Sequence, residues 1–386
     1  MSALSSPLAR AERVPTEEPD EPMTDQTTGA GARTADGPRT GRASKPPRRR
    51  RGLRITLGVL LVLLLAGGGT AYWMYQDLDS NIKGVDIDKA LGEDRPEKLP
   101  TAGQNLLVLG SDSRAGAENK ELGGGGGVSG ARSDTALVVH IPEGRTEAVA
   151  VSIPRDTLVA RPECVKSDGS TAASAERVMF NSVYTQVGPA CVVKTVEKMS
   201  GVRIDHYLEI DFAGFKDLVD AMGGVTVEVE EPIKDDASGL DLTAGTHKLN
   251  GTESLAYVRT RHGVGDGSDL GRIGLQQQFL LALLTEIKSQ DLLGSPATTY
   301  RIASSATKSL TTDEGLASLT SLSEFARSMN GVDPSSMETV MLPVAYDKQD
   351  PNRVVAAEPQ AGDLWKAIRA DGTIPESAKK SPATGG

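Results

Sequence analysis

The sequence is poor in cysteine, histidine and aromatic residues. Its 386 residues include two cysteines and four histidines, and aromatic residues make up 4% of the chain. There is no Cys-x-x-Cys pair or Cys/His spacing of the kind that binds structural zinc. The chain also has no Gly-x-Ser-x-Gly turn, which disfavours a Ser-His-Asp hydrolase. Any large hydrophobic core must therefore rest on Val, Leu, Ile and Ala.

Basic charge is scarce outside the N-terminal region. Residues 1–54 hold 11 Lys/Arg and 7 Asp/Glu, whereas residues 55–386 hold 31 and 45, within a net charge of −10. An acidic domain is a poor partner for nucleic acid, which requires a basic surface to neutralise its phosphates. We therefore expect no nucleic-acid partner. An anionic substrate would have to be bound by a local cluster of arginines.

One long uncharged segment stands out, at residues 55–75. A helix of this length would span about 32 Å, close to the ~30 Å of a bilayer core. Five arginines (residues 48–51 and Arg54) precede it, and Tyr72, Trp73 and Tyr75 lie at its other end. The positive-inside rule then predicts a single-pass membrane protein with a cytoplasmic N-terminus and an extracytoplasmic domain. The alternative is a buried core helix.

Composition predicts five regions. Residues 1–52 are rich in Pro, Gly, Thr and Arg and are expected to be a disordered cytoplasmic tail. A transmembrane helix (53–75), a stalk (76–100), one domain (101–375, with its core motifs at 105–290) and a flexible tail (376–386) should follow. In the domain, short apolar strands alternate with helical patterns, which indicates an α/β fold. The predicted strands are 106–109, 135–141, 148–153, 207–210, 225–229 and 338–342; the predicted helices are 190–199, 212–222, 271–288, 312–328 and 362–369.

The two cysteines both follow the membrane segment. In an oxidising compartment, Cys164 and Cys191 are expected to form one disulfide that closes a loop of about 27 residues, worth roughly 3 kcal/mol on the chain-entropy model. Two unrelated buried thiols are the alternative.

Five short motifs place Arg or Asp beside apolar strands or at a helix start, where the functional loops of α/β sheets emerge. They are 109–114 (Leu-Gly-Ser-Asp-Ser-Arg), 132–135 (Arg-Ser-Asp-Thr), 152–156 (Ser-Ile-Pro-Arg-Asp), 257–261 (Tyr-Val-Arg-Thr-Arg) and 269–272 (Asp-Leu-Gly-Arg), the last followed by Gln276 and Gln277. An isolated Arg/Asp pair is usually a solvated surface ion pair. Five such motifs in an acidic domain favour an anion site.

The spacing of these motifs suggests how they would bind a pyrophosphate. If residues 257–261 are extended, Arg259 and Arg261 point to the same side. Paired guanidinium groups suit a pyrophosphate, because each offers two donors to phosphate oxygens. On the following helix, Asp269, Arg272 and Gln276 should share one face. Asp112 and Asp134 are hard oxygen ligands that could share one Mg²⁺ ion with the substrate phosphates.

At these residues the chain resembles the LytR-CpsA-Psr family of cell-envelope phosphotransferases. The five motifs occur in order between residues 105 and 278, behind a single basic-flanked membrane span. The segments 203–207 (Arg-Ile-Asp-His-Tyr), 211–215 (Asp-Phe-Ala-Gly-Phe) and 223–225 (Gly-Gly-Val) are also similar to the family's central region. The resemblance implies an α-β-α sandwich with a central mixed β-sheet and an apolar tunnel for an undecaprenyl chain. It further implies transfer of a glycopolymer phosphate from undecaprenyl pyrophosphate to peptidoglycan.

The resemblance also implies a role for each site residue. Asp112 and Asp134 would bind magnesium. Asp156 and Asp269 would orient arginines, and Asn181 lies in a segment that contacts the substrate headgroup. The pyrophosphate contacts would be Arg132, Arg155, Arg259, Arg261, Arg272 and Gln276.

The sequence departs from the family pattern at two positions. Leu275 stands where a basic residue is common, and the residues before Asn181 are Met-Phe rather than Lys-Ile. Each departure removes a possible headgroup contact without removing the core site. Two alternative functions remain open: a hydrolase of the polyprenyl pyrophosphate, and a non-enzymatic regulator of the transcriptional-attenuator type.

Overall fold

The computed structural model describes residues 49–111, 133–144, 147–166, 168–261, 269–290 and 295–384, without the side chains of residues 49–51, 133–134, 269 and 384. The chain divides into two units, Met1–Leu61 and Val62–Gly386. The predicted disordered tail falls almost entirely outside the described residues. The sheet and the candidate site both lie in the second unit.

Helix α1 runs through Arg49–Asn81. Its portion Gly52–Asn81 is long and apolar enough to cross a membrane. The last turns of α1 belong to the second unit and are bonded within it: the Tyr300 hydroxyl donates to Asp77 (2.7 Å), and the Leu319 amide donates to Asp79 (2.8 Å). The helix therefore continues six residues beyond the predicted end at Tyr75, because polar side chains after the apolar run find partners in the domain.

A seven-stranded mixed sheet forms the centre of the second unit. Its strands are β1 (Lys83–Val85), β2 (Gln104–Ser111), β3 (Ser133–Ile141), β4 (Val149–Ser152), β9 (His206–Asp211), β14 (Leu310–Asp313) and β15 (Glu338–Met341). They lie in the order β1-β14-β9-β2-β3-β4-β15. Strands β2 and β9 are parallel, and β3 is antiparallel to both β2 and β4. Helices pack on both faces, which confirms the predicted α-β-α architecture.

The first face of the sheet is closed. Leu107, Leu109, Val138 and Tyr207 are at most 1% exposed and belong to one large apolar cluster. Three of the helices that contribute to this cluster are α3 (Phe180–Val187), α4 (Pro189–Ser200) and α10 (Gln360–Arg369). A disulfide between Cys164 and Cys191, as predicted, joins a short strand to α4 within the cluster.

The second face is filled unevenly, and Leu106, Leu137 and Ile141 are buried on it. Val108, Val139, Leu208 and Ile210 alternate with the buried residues of the first face, yet they are only half-buried. The leucines of the following helices that pack with Val139 and Ile141, namely Leu280, Leu281 and Leu284, are also half-buried. The remaining long helices are α5 (Phe212–Met222), α6 (Gly251–Arg259), α7 (Asp269–Ser289), α8 (Pro296–Ser309) and α9 (Leu319–Ser328).

Five two-stranded ribbons and one short α-helix are the remaining strands and α-helix of the described residues, which also contain four short 3-10 helices. The helix is α2 (Asp88–Leu91). The ribbons pair β5 (Leu158–Arg161) with β8 (Ala175–Met179), β6 (Cys164–Val165) with β7 (Thr171–Ala172), β10 (Val225–Val229) with β13 (Gly245–Leu249), β11 (Ile233–Asp235) with β12 (Leu240–Leu242), and β16 (Val344–Tyr346) with β17 (Val354–Ala356).

Three regions differ from the sequence prediction. The expected stalk belongs to the fold, because β1 pairs with β14 and Ile87 and Leu91 are buried in the core. The expected helix from residue 312 begins only at Leu319, because residues 310–313 form the sheet strand β14, which lies between β9 and β1. The expected loose tail packs over residues 376–384, where Ala378 is fully buried and the Ser381 hydroxyl donates to the Val344 carbonyl.

Candidate functional site

Four strands bring functional motifs to one edge of the sheet. Strands β2 and β9 end there side by side, with Ser111 beside Asp211. Antiparallel β3 begins at the same edge, since Ser133 pairs with Ser111. Strand β4 ends there too, with Ser152 opposite Leu137. The ends of β2, β4 and β9 and the start of β3 therefore meet at this edge, where α/β sheets place their binding loops.

A cavity of about 520 Å³ opens at this edge. Thr135 of β3 and Phe212, directly after β9, form part of its wall. Arg259, Arg261, Arg272 and Gln276 all line it. Four of the predicted substrate-binding residues, drawn from two motifs, thus converge on one cavity; their contacts with a substrate remain predictions.

Arg259 is the last residue of helix α6, so the expectation that residues 257–261 are extended is wrong. A capping box starts the helix. The Glu253 backbone amide donates a hydrogen bond to the Asn250 side chain (3.0 Å), and the Asn250 backbone amide donates one to the Glu253 carboxylate (2.9 Å). This Asn-x-x-Glu spacing is a helix-start signal that could have been recognised in the sequence. The Arg259 guanidinium lies 4.8 Å from the centre of the Phe212 ring, a cation–π distance that directs it to the cavity wall.

Arg261 is held by a residue that the sequence analysis missed. Asp235, at the end of β11, is 3% exposed and lines the cavity. Its Oδ2 accepts the Arg261 amide (3.0 Å), and its Oδ1 accepts the Ala237 amide (2.9 Å). The carboxylate thus fixes both the turn after β11 and the backbone of Arg261. This role depends on the fold, which brings the β11–β12 ribbon next to the residues that follow α6.

Helix α7 supplies Arg272 and Gln276 from one face, as predicted from their spacing. Arg272 is 3% exposed, and the Gln276 amide group donates to the Val258 carbonyl (3.1 Å). Gln277 donates to the Ser152 hydroxyl (3.0 Å), which ties the helix to the end of β4. The Tyr257 hydroxyl donates to Gln278 (2.6 Å), and burial raises the pKa of Tyr257 to about 12. The tyrosine therefore stays neutral and donates at any physiological pH.

Arg155, Asp156 and Asn181 form a second group. Among the described residues that line the cavity these three do not appear. Arg155 and Asp156 follow β4, with an ion-pair distance of 3.6 Å between Nε and Oδ2. The Asn181 amide, at the start of α3, donates to the Arg155 carbonyl (3.1 Å). Arg155 and Asp156 follow β4, which ends at the same sheet edge. The hydrogen bond between Gln277 and Ser152 links the end of β4 to helix α7, which lines the cavity.

The remaining predicted residues are not described in full. Asp112, Arg132 and the side chains of Asp134 and Asp269 lie outside the described residues. Ser111, which precedes Asp112 in sequence, pairs with Ser133, which precedes Asp134, so the described parts of both motifs lie at this edge. Carboxylate oxygens are the ligand type that Mg²⁺ prefers. Among the described residues, no cluster of three His, Cys, Asp or Glu forms a metal site.

The model of the LytR_cpsA_psr family matches residues 74–370. The chain belongs to this family. A probable cell wall biosynthesis protein of Corynebacterium glutamicum, LcpB, is 37% identical over 67% of this chain and 58% of its own length. A second relative is the polyisoprenyl-teichoic acid–peptidoglycan teichoic acid transferase TagT of Bacillus subtilis strain 168, 30% identical over 65% of this chain and 75% of its own length.

The fold of this LytR_cpsA_psr protein also matches solved structures. Bacillus subtilis TagV superposes with a TM-score of 0.53 and 26% identity, over 70% of this chain and 98% of that one. Leu275 stands where the family pattern often has a basic residue. It is 7% exposed and belongs with Phe279 to one apolar cluster, so it contributes to the core.

Proposed function

We propose that this protein transfers a glycopolymer phosphate from an undecaprenyl-pyrophosphate-linked precursor to peptidoglycan. The observation that carries the proposal is the convergence of Arg259, Arg261 and Arg272 on one cavity, next to an incompletely filled apolar sheet face. A pyrophosphate joined to a long hydrocarbon chain would match both features, because its phosphate oxygens suit the arginines and its chain suits the apolar face. The name of the relative TagT, a polyisoprenyl-linked transferase to peptidoglycan, agrees with it.

The arginines bind the pyrophosphate in this proposal. Each guanidinium offers paired N–H donors that match phosphate oxygens, and three of them offset the negative charge of a pyrophosphate. Gln276 adds a neutral donor, and Arg132 and Arg155 complete the set. Asp156 and Asp269 orient arginines, and Asn181 contacts the headgroup. The half-buried residues Val108, Leu208 and Ile210 hold the hydrocarbon chain.

Asp112 and Asp134 hold Mg²⁺ in this proposal. The pairing of Ser111 with Ser133 supports it, because the two aspartates follow these residues in sequence at the edge where Thr135 lines the cavity. The bound ion would neutralise phosphate oxygens on which charge develops.

The proposed reaction is a phosphoryl transfer. An acceptor hydroxyl of peptidoglycan attacks the phosphorus that carries the glycopolymer. The bridging P–O bond breaks, polyprenyl monophosphate leaves, and the hydroxyl proton passes to a base. The cleaved phosphoanhydride supplies the free energy. Positioning and charge neutralisation are the main requirements of such a transfer, and clustered arginines meet both.

The proposal places the N-terminus in the cytoplasm and the domain outside the membrane. Five arginines precede the apolar part of α1, which the positive-inside rule assigns to the cytoplasmic side. The Cys164–Cys191 disulfide supports the same orientation, because disulfides persist in oxidising compartments. The tether would keep the cavity close to the bilayer in which polyprenyl lipids reside.

The test is a transfer assay on the full-length protein in liposomes with a lipid-linked glycopolymer and soluble peptidoglycan fragments. We expect a phosphodiester-linked product and released polyprenyl phosphate. Free sugar phosphate without coupled product would make the protein a hydrolase, and no turnover of the donor would reject an enzymatic role. The Arg259→Ala variant serves as the inactive control.

A further inference from the structure

The apolar helix α1 passes into the central sheet without a linker. It ends at Asn81, and β1 begins at Lys83, so one residue separates them. Strand β1 pairs with β14, and a Cβ added to Gly84 would lie 2.7 Å from the Cβ of Ala317, so β1 packs closely against the segment before α9. Residues 62–81 of α1 belong to the same unit as the sheet. The end of α1 and the β1 edge of the sheet are therefore one continuous structure.

Helices α8 and α9 hold the end of α1. The Tyr300 ring of α8 lies 6.4 Å from the Trp73 ring, within the range of aromatic pairs, and its hydroxyl donates to Asp77. On α9, the Thr320 hydroxyl lies 3.1 Å from the Tyr75 hydroxyl. Together with the bond from the Leu319 amide to Asp79, these contacts form what we call the α1 junction, made by Trp73, Tyr75, Asp77, Asp79, Tyr300, Leu319 and Thr320.

The α1 junction begins at the depth of a membrane interface. Residues 62–73 of α1 are all exposed, and the first half-buried residue is Met74, followed by Asp77, Leu78 and Asp79. The uncharged segment 55–75 matches a bilayer core, and Trp and Tyr at the end of such a segment favour the lipid–water interface. The domain therefore first covers α1 where the headgroup layer would lie, rather than at the end of a free stalk.

Helix α9 connects the α1 junction with the second face of the sheet. Its apolar residues Leu319, Leu322 and Phe325 are all half-buried. Phe325 packs against the cluster that contains Val139 and Leu284 of the second face. It lies six residues after Leu319, which is about 9 Å along a helix. Apolar surface of the second face thus begins within one or two helical turns of the interface.

We propose that the α1 junction is a membrane-contact surface, which rests the β1 edge of the domain on the headgroup layer of the bilayer. The inference rests on the proposed function, which supplies the orientation of α1. The contact holds the cavity at a fixed height above the membrane. The hydrocarbon chain of the donor then passes from the bilayer along α9 to the second face without crossing water.

The first test measures the membrane contact without any turnover. Both native cysteines form the disulfide, so a single new cysteine can be labelled with a fluorophore in the full-length protein. Ala297→Cys, exposed and one turn before Tyr300, should be quenched in vesicles of phosphatidylglycerol and phosphatidylcholine that carry nitroxide headgroups. Lys348→Cys, exposed beyond the opposite edge strand β15, is the control and should be quenched much less, because six strand spacings amount to about 29 Å.

The second test measures the route of the donor. Tyr300→Ala removes both the ring contact with Trp73 and the bond to Asp77, so it should raise KM for a polyprenyl donor in liposomes roughly tenfold through lost orientation. KM for a water-soluble, short-chain donor should change less than about twofold, because that donor does not come from the bilayer. Tyr346→Ala, at an exposed tyrosine of β16, is the matched control and should behave as wild type with both donors.

Three outcomes would overturn the inference. An unquenched label at Ala297 would exclude contact with the headgroups, and equal quenching at Lys348 would show that the contact is not made by the β1 edge. An equal rise in KM for both donors in Tyr300→Ala would exclude the route along α9. If quenching is as expected but no donor is transferred, the proposed function fails while the membrane-contact surface stands.

Discussion

The two faces of the central sheet differ in how completely they are covered. Along β2, Leu107 and Leu109 are fully buried, whereas Val108 between them is only half-buried. In β9, Tyr207 is 1% exposed, whereas Leu208 and Ile210 are half-buried. Because side chains alternate along a strand, the same strands build a closed core on one face and leave apolar surface available on the other. We infer that the first face stabilises the fold and that the second serves the ligand.

The largest expected effect separates the two faces directly. Leu107→Ala should reduce the free energy of unfolding by about 2–5 kcal/mol, since a fully buried leucine leaves a cavity when truncated. Leu208→Ala, a matched truncation on the neighbouring strand, should cost less than half as much but raise KM for the lipid-linked donor. Thermal unfolding and donor kinetics measure the two effects. Equal stability losses, or an unchanged KM in Leu208→Ala, would remove the distinction between the faces.

The next effect concerns Arg261, one of the arginines that line the cavity. Arg261→Ala should leave the fold intact and reduce the transfer rate on the order of 10²–10³-fold, as removal of one charge-stabilising donor does in other enzymes. Arg327→Ala, at an exposed position of α9, is the control for loss of an arginine elsewhere. Retained transfer by Arg261→Ala would show that the cavity is not the active site.

A smaller effect is expected at Asp235, which fixes the Arg261 backbone. In Asp235→Asn one acceptor oxygen is replaced by a donor, so that either the Arg261 or the Ala237 amide loses its partner, at a cost of about 1–3 kcal/mol. Stability and transfer rate should fall together. Asp241→Asn, on the same ribbon with a side chain 72% exposed, should change neither. A normal transfer rate in Asp235→Asn would mean that the backbone contact does not position Arg261.

The smallest effect lies at the opposite end of β9. Burial tends to raise the pKa of Asp313, but the His206 ring and the amides of Tyr207 and Gly315 outweigh it, so the pKa is lowered. The folded state thus favours the carboxylate. Its stabilisation is present above the unfolded pKa, about 3.9, and is lost as the pH falls below it.

The stability difference between wild type and Asp313→Asn should therefore shrink as the pH falls from 5 to about 3, as thermal midpoints will show. Transfer at neutral pH should be unaffected, because this residue lies away from the cavity edge. A constant stability difference between pH 5 and about 3 would show that the ionised Asp313 carboxylate is not what stabilises the fold.

Local sequence patterns predicted most of the central sheet. Strand 225–229 was predicted with its observed bounds, and the predicted core strands β2, β3, β4 and β9 lie within two residues of the observed ends, because runs of apolar residues define them. The segment after residue 312 was misread for a tertiary reason. Thr-Asp-Glu is a cap signal, and Asp313 does cap a single turn at Glu314–Leu316, but pairing with β9 makes the preceding residues a strand.

The candidate site was predictable in part. The motifs predicted Arg259, Arg261, Arg272 and Gln276, all of which line the cavity, because the two motifs end one helix and begin the next. The contribution of Asp235 could not be read from the sequence, since it depends on how the distant β11–β12 ribbon packs against the end of α6.

The most direct measurement of the central claim is mass spectrometry of lipids that co-purify with the full-length protein from membranes. The account predicts a polyprenyl phosphate or pyrophosphate bound to wild type and depleted in both Arg261→Ala and Leu208→Ala, since one variant removes a phosphate contact and the other a hydrocarbon contact. Recovery of ordinary phospholipids alone, or of the same lipid from all three proteins, would contradict it.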